Sequence, residues 1–437
     1  MLSTTAATLP VLIIGLILGV SALSLVANEL GKRVGLPIGS RFVLAGGLGM
    51  GVLAVGIKVL IIAALSHTGG KALAEAGSAT RIALDRWLPD LSAEPDKVQA
   101  TPAVLGARTW RALPKTPRDP RGNPSTSEKI ALGRALFFDT NLSVDRTLSC
   151  GSCHILKDGG DDNARYSTGF KGQQGNRNAP TVLNAAFLAR LFWDGRASSL
   201  ERQAEGPFIN PVEMAMPSLE AVVERVKETP SYHTAFAEAF PEGAPINIRN
   251  ITRAIDAFER TLVTSDTPYD RFVRGEPAAM SDAALRGMGI FDAVGCRSCH
   301  IDPVFSAAGT IKPLGVYRAF PVHQSDNPFL DKYDLLIDGA PARYRVPSLR
   351  NVELTAPYFH NGSVTDLEEA IRVMAVSQLD RTLSDDPVED IRIVSSAVGD
   401  TTPGRKLFMM RDRALSNAEI SDIAAFLGSL TASTLPN

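Results

Sequence analysis

All four cysteines of this chain fall within two copies of one pentad, Cys150-Gly-Ser-Cys153-His154 and Cys296-Arg-Ser-Cys299-His300. Two thiols three positions apart can each add to a vinyl group of one porphyrin, and the residue that follows then offers an imidazole to its iron. Each copy therefore reads as an attachment site for a covalent haem c, and no cysteine is left for a disulfide. Two other readings compete. Paired Cys-x-x-Cys motifs can bind zinc, but a four-thiolate site has no use for the histidine that ends both copies. A thioredoxin-like dithiol belongs to one motif within a βαβ pattern, and both pentads here have helix-rich surroundings.

Those surroundings repeat. Ser125-Thr-Ser-Glu128 reads as a capping box, and the helix it opens carries Ile130, Leu132, Leu136 and Phe137 before the first pentad. A comparable helix, opened by Ser281 and carrying Leu285, Met288 and Phe291, precedes the second. The chain closes on a further capping box, Ser416-Asn-Ala-Glu419, followed by Ile420, Ile423, Ala424 and Leu427, which resembles the last helix of a cytochrome c domain. The expected fold is mainly all-α, with two cytochrome c-like haem domains in tandem. Aromatic residues make up only 6% of the chain, which suits small cores in which a haem supplies a large flat apolar body. A net charge of −2 gives nucleic acid no reason to bind.

The first 66 residues read differently. Residues 9–27 hold no charge, and residues 42–65 hold only Lys58; each run is long enough to span a bilayer. A cleaved signal peptide would open with basic residues, and residues 1–10 have none. Lys32, Arg33 and Arg41 outweigh Glu29 in the connection, which places that loop in the cytoplasm and both ends of the hairpin outside. Gly46, Gly47, Gly49 and Gly51 would let the two helices approach closely. The expected organisation is a transmembrane helical hairpin over residues 1–66, with a single anchor or signal as the alternative, and a proline-rich tether over 67–124. A first haem domain follows over 125–275 and a second over 276–437.

Between the pentads stand Arg177-Asn-Ala-Pro-Thr-Val-Leu-Asn184, Phe192-Trp-Asp-Gly-Arg-Ala197, Gly206-Pro207 and Asn210-Pro-Val-Glu-Met214. After the second come Pro347-Ser-Leu-Arg-Asn-Val352 and Ala356-Pro-Tyr-Phe-His-Asn-Gly362. In this order, over about residues 113–431, the series resembles the bacterial di-haem cytochrome c peroxidase family, which includes the methylamine-utilisation enzyme MauG. The resemblance implies that His154 holds a peroxidatic haem and that Glu213 is the acid/base residue on its other side, with Gln203 and Pro207 lining the same pocket. It implies that His300 holds the electron-receiving haem and that Trp193 lies between the two haems. Asn178 matches a ligand of the family's calcium ion. A homodimer fits the family as well, and haem attachment outside the bacterial cytoplasm places the haem domains in the periplasm, tethered to the inner membrane.

Two departures from the pattern stand out. Peroxidases that need reductive activation have a histidine on the loop after the first pentad, and here Phe170 occupies that place, with no histidine from residue 155 to 192. The first iron is then expected to be open without activation. Ala356 stands where many peroxidases have a methionine ligand, and the resemblance to MauG implies Tyr358 as the sixth ligand of the second haem, with Met374 as the alternative. His360 is expected to make a hydrogen bond rather than bind iron. His67, His233 and His323 read as surface or structural residues, and Asp161 and Asp162 as a solvated loop.

The expected activity is reduction of hydrogen peroxide with electrons from a small cytochrome c or a quinol-linked donor. A MauG-like oxidase acting on a protein substrate, and a membrane-tethered electron carrier without chemistry, are the alternatives.

Overall fold

Gly133 has no room for a side chain, because a Cβ there would lie 1.9 Å from the carbonyl oxygen of Ala254. That contact is where helix α1 (Ser127–Phe137) crosses helix α6 (Ile248–Glu259) in the computed structural model of the protein. The structure describes residues 110–243, 245–310, 316–385 and 414–436, all within one compact unit formed by residues 99–437. The same device recurs in the second half. A Cβ on Gly287 would lie 1.8 Å from the carbonyl oxygen of Asp422, where α8 (Asp282–Ala293) meets α11 (Asn417–Gly428). The internal duplication expected from the sequence is thus visible as two equivalent helix crossings, each closed by a missing side chain.

Between these helices run α2 (Cys150–Cys153), α3 (Leu200–Ile209), α4 (Leu219–Lys227), α5 (Pro230–Ala239), α7 (Pro268–Val273), α9 (Phe329–Lys332) and α10 (Leu367–Leu379). The strands described are short: β1 (Tyr317–Phe320) pairs antiparallel with β2 (Ala342–Arg345), and β3 (Leu383–Ser384) pairs parallel with β4 (Leu415–Ser416). Helix starts follow local chemistry. Ser281 caps α8 through the amide of Ala284, and Ser416 with Glu419 forms a reciprocal capping box on α11. At α1 the cap is Thr126, not Ser125, because the Ser125 hydroxyl is drawn 2.7 Å to Asp119 Oδ1 instead.

Each half has its own core. Leu136, Phe208, Phe236, Ile251 and Phe258 belong to the first, and Tyr269, Met288, Phe305, Ile423 and Phe426 to the second. A smaller cluster built from Leu113, Phe187, Leu191, Leu200 and Val304 is drawn from both halves. Two segments pack away from their neighbours in the chain. Tyr269 and Phe272 bury themselves in the second core, so α7, within the first haem domain expected from the sequence, packs with the second. The last part of the tether is also packed. Trp110 enters the second core, Leu113 the shared cluster, and Asn123 Nδ2 reaches Asp256 Oδ2 of α6 at 2.7 Å.

The halves meet through Thr264. Its hydroxyl accepts from the amides of Asn184 at 2.7 Å and Asn351 at 2.9 Å. Both asparagines adopt left-handed backbone, with φ of 60° and 58°, a conformation that asparagine tolerates better than most residues. The two residues end the Arg177–Asn184 motif and occupy the Pro347–Val352 motif, so both motifs serve the junction. The apolar runs at 9–27 and 42–65 and the tether through residue 109 lie outside the described residues. Among the described residues no helix is long and apolar enough to cross a membrane.

Candidate functional site

Both pentads open onto large cavities. The first, lined by Cys150, Cys153 and His154, encloses about 2230 Å³, part of it open to solvent. The second, lined by Cys296, Cys299 and His300, encloses about 1810 Å³ on the same basis. In each pentad the imidazole is held from behind: His154 Nδ1 lies 3.1 Å from the carbonyl oxygen of Gly160, and His300 Nδ1 lies 3.2 Å from that of Phe305. Donation from Nδ1 fixes the tautomer and leaves Nε2 as the metal-ligating nitrogen. Burial pushes His300 down to about 4 and lowers His154, which keeps both rings neutral. Burial likewise pushes the Cys150 and Cys296 thiols up to about 12, the opposite of what a redox-active dithiol requires.

The residues inside the pentads differ for packing reasons. Gly151 faces Phe138, and a Cβ there would come 2.4 Å from that ring. Arg297, by contrast, is buried, pairs with Asp302 at 2.7 Å and lies 3.6 Å over the Trp110 ring. Asp302 also accepts the amide of Arg111 at 3.0 Å, so the strap around residue 110 clamps the second pentad.

The first cavity brings together Glu213, Gln203, Pro207, Trp193 and Asn178, as the sequence implied. Asn210 Nδ2 donates to Glu213 Oε1 at 2.7 Å, and burial raises the Glu213 carboxyl despite that bond and the nearby Arg196 charge. The backbone around Glu213 is pinned by the loop that carries Phe170. The Phe170 amide reaches the carbonyl oxygens of Val212 at 3.1 Å and Glu213 at 2.9 Å. Phe170 itself does not line the cavity; Gly169 and Gln174 do, and His154 is the only imidazole among the described lining residues.

The second cavity is walled on one side by α10, which contributes Leu367, Ala370, Ile371, Met374, Ala375 and Gln378, the face of a single helix. Tyr358 lines it as well, and burial pushes its hydroxyl up to about 12. Both candidate sixth ligands therefore reach the cavity that holds His300.

Trp193, Asn178 and Arg345 line both cavities. The Trp193 indole stands edge-on to Tyr344 at 6.0 Å and to His360 at 6.5 Å, while Tyr344 and His360 stack at 4.7 Å. Around this cluster, Arg345 Nη1, Arg177 Nη1, Tyr344 Oη and His360 Nδ1 are buried with no protein partner among the described residues. The hydrogen bond expected from the His360 ring is thus not made by its Nδ1 among the described residues. Buried guanidinium nitrogens without acceptors call for anions, and haem propionates are anionic. The residues present fit two haems, which Cys150, Cys153, Cys296 and Cys299 would attach and His154 and His300 would ligate.

Three parts of the site escaped the sequence. Asp161, expected in solvent, is 1% exposed because its main chain bridges to Ile155, and burial pushes its carboxyl up to about 7 in the wall of the second cavity. Glu259 lines the first cavity, and Arg345 lines both. Neither carries a local motif. The helical spacing of Ile255 and Glu259, which places both on one face of α6, was the available signal for the glutamate.

A family model for di-haem cytochrome c peroxidase matches residues 127–278. Cytochrome c551 peroxidase of Pseudomonas aeruginosa is 39% identical over 296 residues, covering 64% of this chain and 82% of that one. The chain belongs to the di-haem cytochrome c peroxidase family. Cytochrome c peroxidase Ccp of Escherichia coli is 38% identical over 273 residues, 62% of this chain, and the chain spans 58% of that relative's length. Among solved structures, a MauG-like protein associated with microbial copper homeostasis superposes with a TM-score of 0.58 at 32% identity, covering 74% of this chain and 95% of that one. Family membership implies two haem c groups, in agreement with the two cavities.

Proposed function

We propose that this protein is a di-haem peroxidase that reduces hydrogen peroxide to water with electrons from a cytochrome c or a quinol-linked donor. The observation that carries this reading is Glu213, a buried carboxyl in the same cavity as His154, held by Asn210 and raised by burial. When bound, the first haem supplies the iron at which the peroxide O–O bond breaks, and the second supplies electrons. The bond from Asn210 occupies Glu213 Oε1, so the proton is carried on Oε2 from the inner to the outer peroxide oxygen. Gln203 and Pro207 shape the space around that transfer. A pure electron carrier gains nothing from a carboxyl poised in this way.

We propose Met374, in place of the Tyr358 that the resemblance to MauG suggests, as the residue that would complete the coordination of the second haem iron. Support comes from its place at the middle of the α10 face, beside the small side chains Ala370 and Ala375, which allow close approach to a flat group. A thioether also raises the potential of haem iron, as an electron-receiving site requires. A calcium ion at Asn178 belongs to the same proposal. No cluster of His, Cys, Asp or Glu able to hold a metal occurs among the described residues, so such an ion would depend on amide and carbonyl oxygens. The apolar runs at 9–27 and 42–65 support an inner-membrane anchor that presents the haem domains to the periplasm.

The test is stopped-flow spectroscopy with peroxide, with and without a reduced small cytochrome c. Rapid cytochrome oxidation is expected, and Glu213→Gln should slow it by about 10²–10⁴-fold with both haems retained. A slow cytochrome reaction, together with a long-lived oxidised enzyme, would instead favour MauG-like oxidation of a protein substrate.

A further inference from the structure

Glu259 ends helix α6 with its side chain in the wall of the first cavity. It is 4% exposed, and no donor among the described residues reaches Oε2. An ionised oxygen left bare in such a place is costly, so the carboxyl keeps its proton. Burial and then the neighbouring Asp256 push it up to about 8, against the opposing pull of Arg260. Nothing in the attachment of haem or in the Glu213 transfer uses this group.

A polar network that reaches the surface begins at Asp256, whose charge Glu259 feels. One turn back on α6, Asp256 Oδ2 accepts from Asn123 Nδ2 at 2.7 Å and from the Arg260 guanidinium. Arg260 Nε donates to Ser125 Oγ at 3.2 Å, and Ser125 Oγ donates to Asp119 Oδ1 at 2.7 Å. Asp119 is 42% exposed. The other charged or titratable groups around Glu259 are Cys150 in the attachment site, Glu201 of α3 acting through Asp256, and Lys129 of α1 beside Asn123. Across the cavity stand His154, Glu213, Asp194, Arg196, Arg177 and Arg345.

Reduction of hydrogen peroxide to two waters consumes two electrons and two protons. Glu213 only moves a proton already on the peroxide, so both consumed protons must come from outside. We propose that Glu259 is the proton-loading residue of the first haem site, releasing its proton into the cavity as product water forms and recovering one from solvent through the open part of that cavity. In that step the Glu259 O–H bond breaks, an O–H bond of water forms, and the electrons come from the donor of the peroxidase reaction. The inference rests on the peroxidase reading for its purpose, while its test does not depend on turnover.

An electron arriving near an ionised Glu259 favours uptake of a proton, so the first haem's reduction potential must depend on pH where Glu259 is ionised. Spectroelectrochemical titration of the holoenzyme from pH 6 to 10 reads this directly. Above about pH 8 the wild-type reduction equilibrium should fall tenfold per pH unit, which is 59 mV for a one-electron couple. Glu259→Gln, the same shape as the neutral acid, should abolish that slope, and Glu259→Asp should restore part of it. A flat wild-type profile, or an unchanged slope in Glu259→Gln, overturns the proposal. If peroxide turnover proves absent, the peroxidase reading falls, and the slope still decides the role of Glu259.

Discussion

Trp193 donates its indole N–H to the main-chain oxygen of Asn178 at 2.8 Å, and both residues wall both cavities. The bond fixes the ring in the partition between the two haem sites, edge-on to Tyr344 and His360. Trp193→Phe keeps an aromatic ring and loses the bond, at a cost of about 1 kcal/mol in stability. Electron transfer between the haems should slow by about tenfold or more, a barrier increase of about 1.4 kcal/mol. Transient absorbance after rapid reduction of the second haem measures this, and an unchanged rate would remove Trp193 from the route.

Met374 and Tyr358 make opposite predictions for one spectrum. Met374→Leu should convert the low-spin signal of the second haem and lower its potential, because a thioether donor is lost. Tyr358→Phe should leave that signal in place. The reverse pattern, read by electron paramagnetic resonance on the oxidised holoenzyme, would assign the ligand to Tyr358.

Gly169 lies so close to the Glu213 segment that a Cβ would sit 1.9 Å from the carbonyl oxygen of Val212. Gly169→Ala must therefore push the Phe170 loop off that segment, at a cost of about 1–3 kcal/mol. Peroxide turnover should drop while both haems stay attached. Stability lost without any loss of turnover would show that the loop does not position Glu213.

The side chains of Arg350 and Asp270 are both 0% exposed and joined by two bonds of 2.7 and 2.9 Å. Asp270 also accepts the Leu113 amide at 2.8 Å and the Thr267 hydroxyl at 2.8 Å. Asp270→Ala leaves a buried guanidinium unpaired and should cost about 3–5 kcal/mol. Chemical denaturation measures it; a loss under about 1 kcal/mol, the scale of an exposed pair, would show that water reaches Arg350.

What the sequence revealed was local. Cys150, Cys153 and His154 declare themselves by spacing, and Ser281 and Ser416 by caps, because those interactions join residues within one turn. The cap sits on Thr126 rather than Ser125 because Asp119, outside that window, competes for the Ser125 hydroxyl. Helix α7 packs with the second core, and its order in the chain says nothing about which core receives Tyr269 and Phe272. Asp161 reads as solvated in a Gly-Gly-Asp-Asp run, and only the bridge to Ile155 turns it inward. Glu259 and Arg345 look like ordinary charged residues until folding sets them beside cavities whose walls come from distant segments.

The paired glycine crossings at Gly133 and Gly287 have a consequence for how such a molecule fails. Each crossing lies within one half, so a bulkier residue at either position wedges apart one helix pair and leaves the other crossing whole. Damage of this kind is compartmented. A lesion at 287 should disable electron supply while the peroxide chamber keeps its shape, and a lesion at 133 should spare the supply and spoil the chamber.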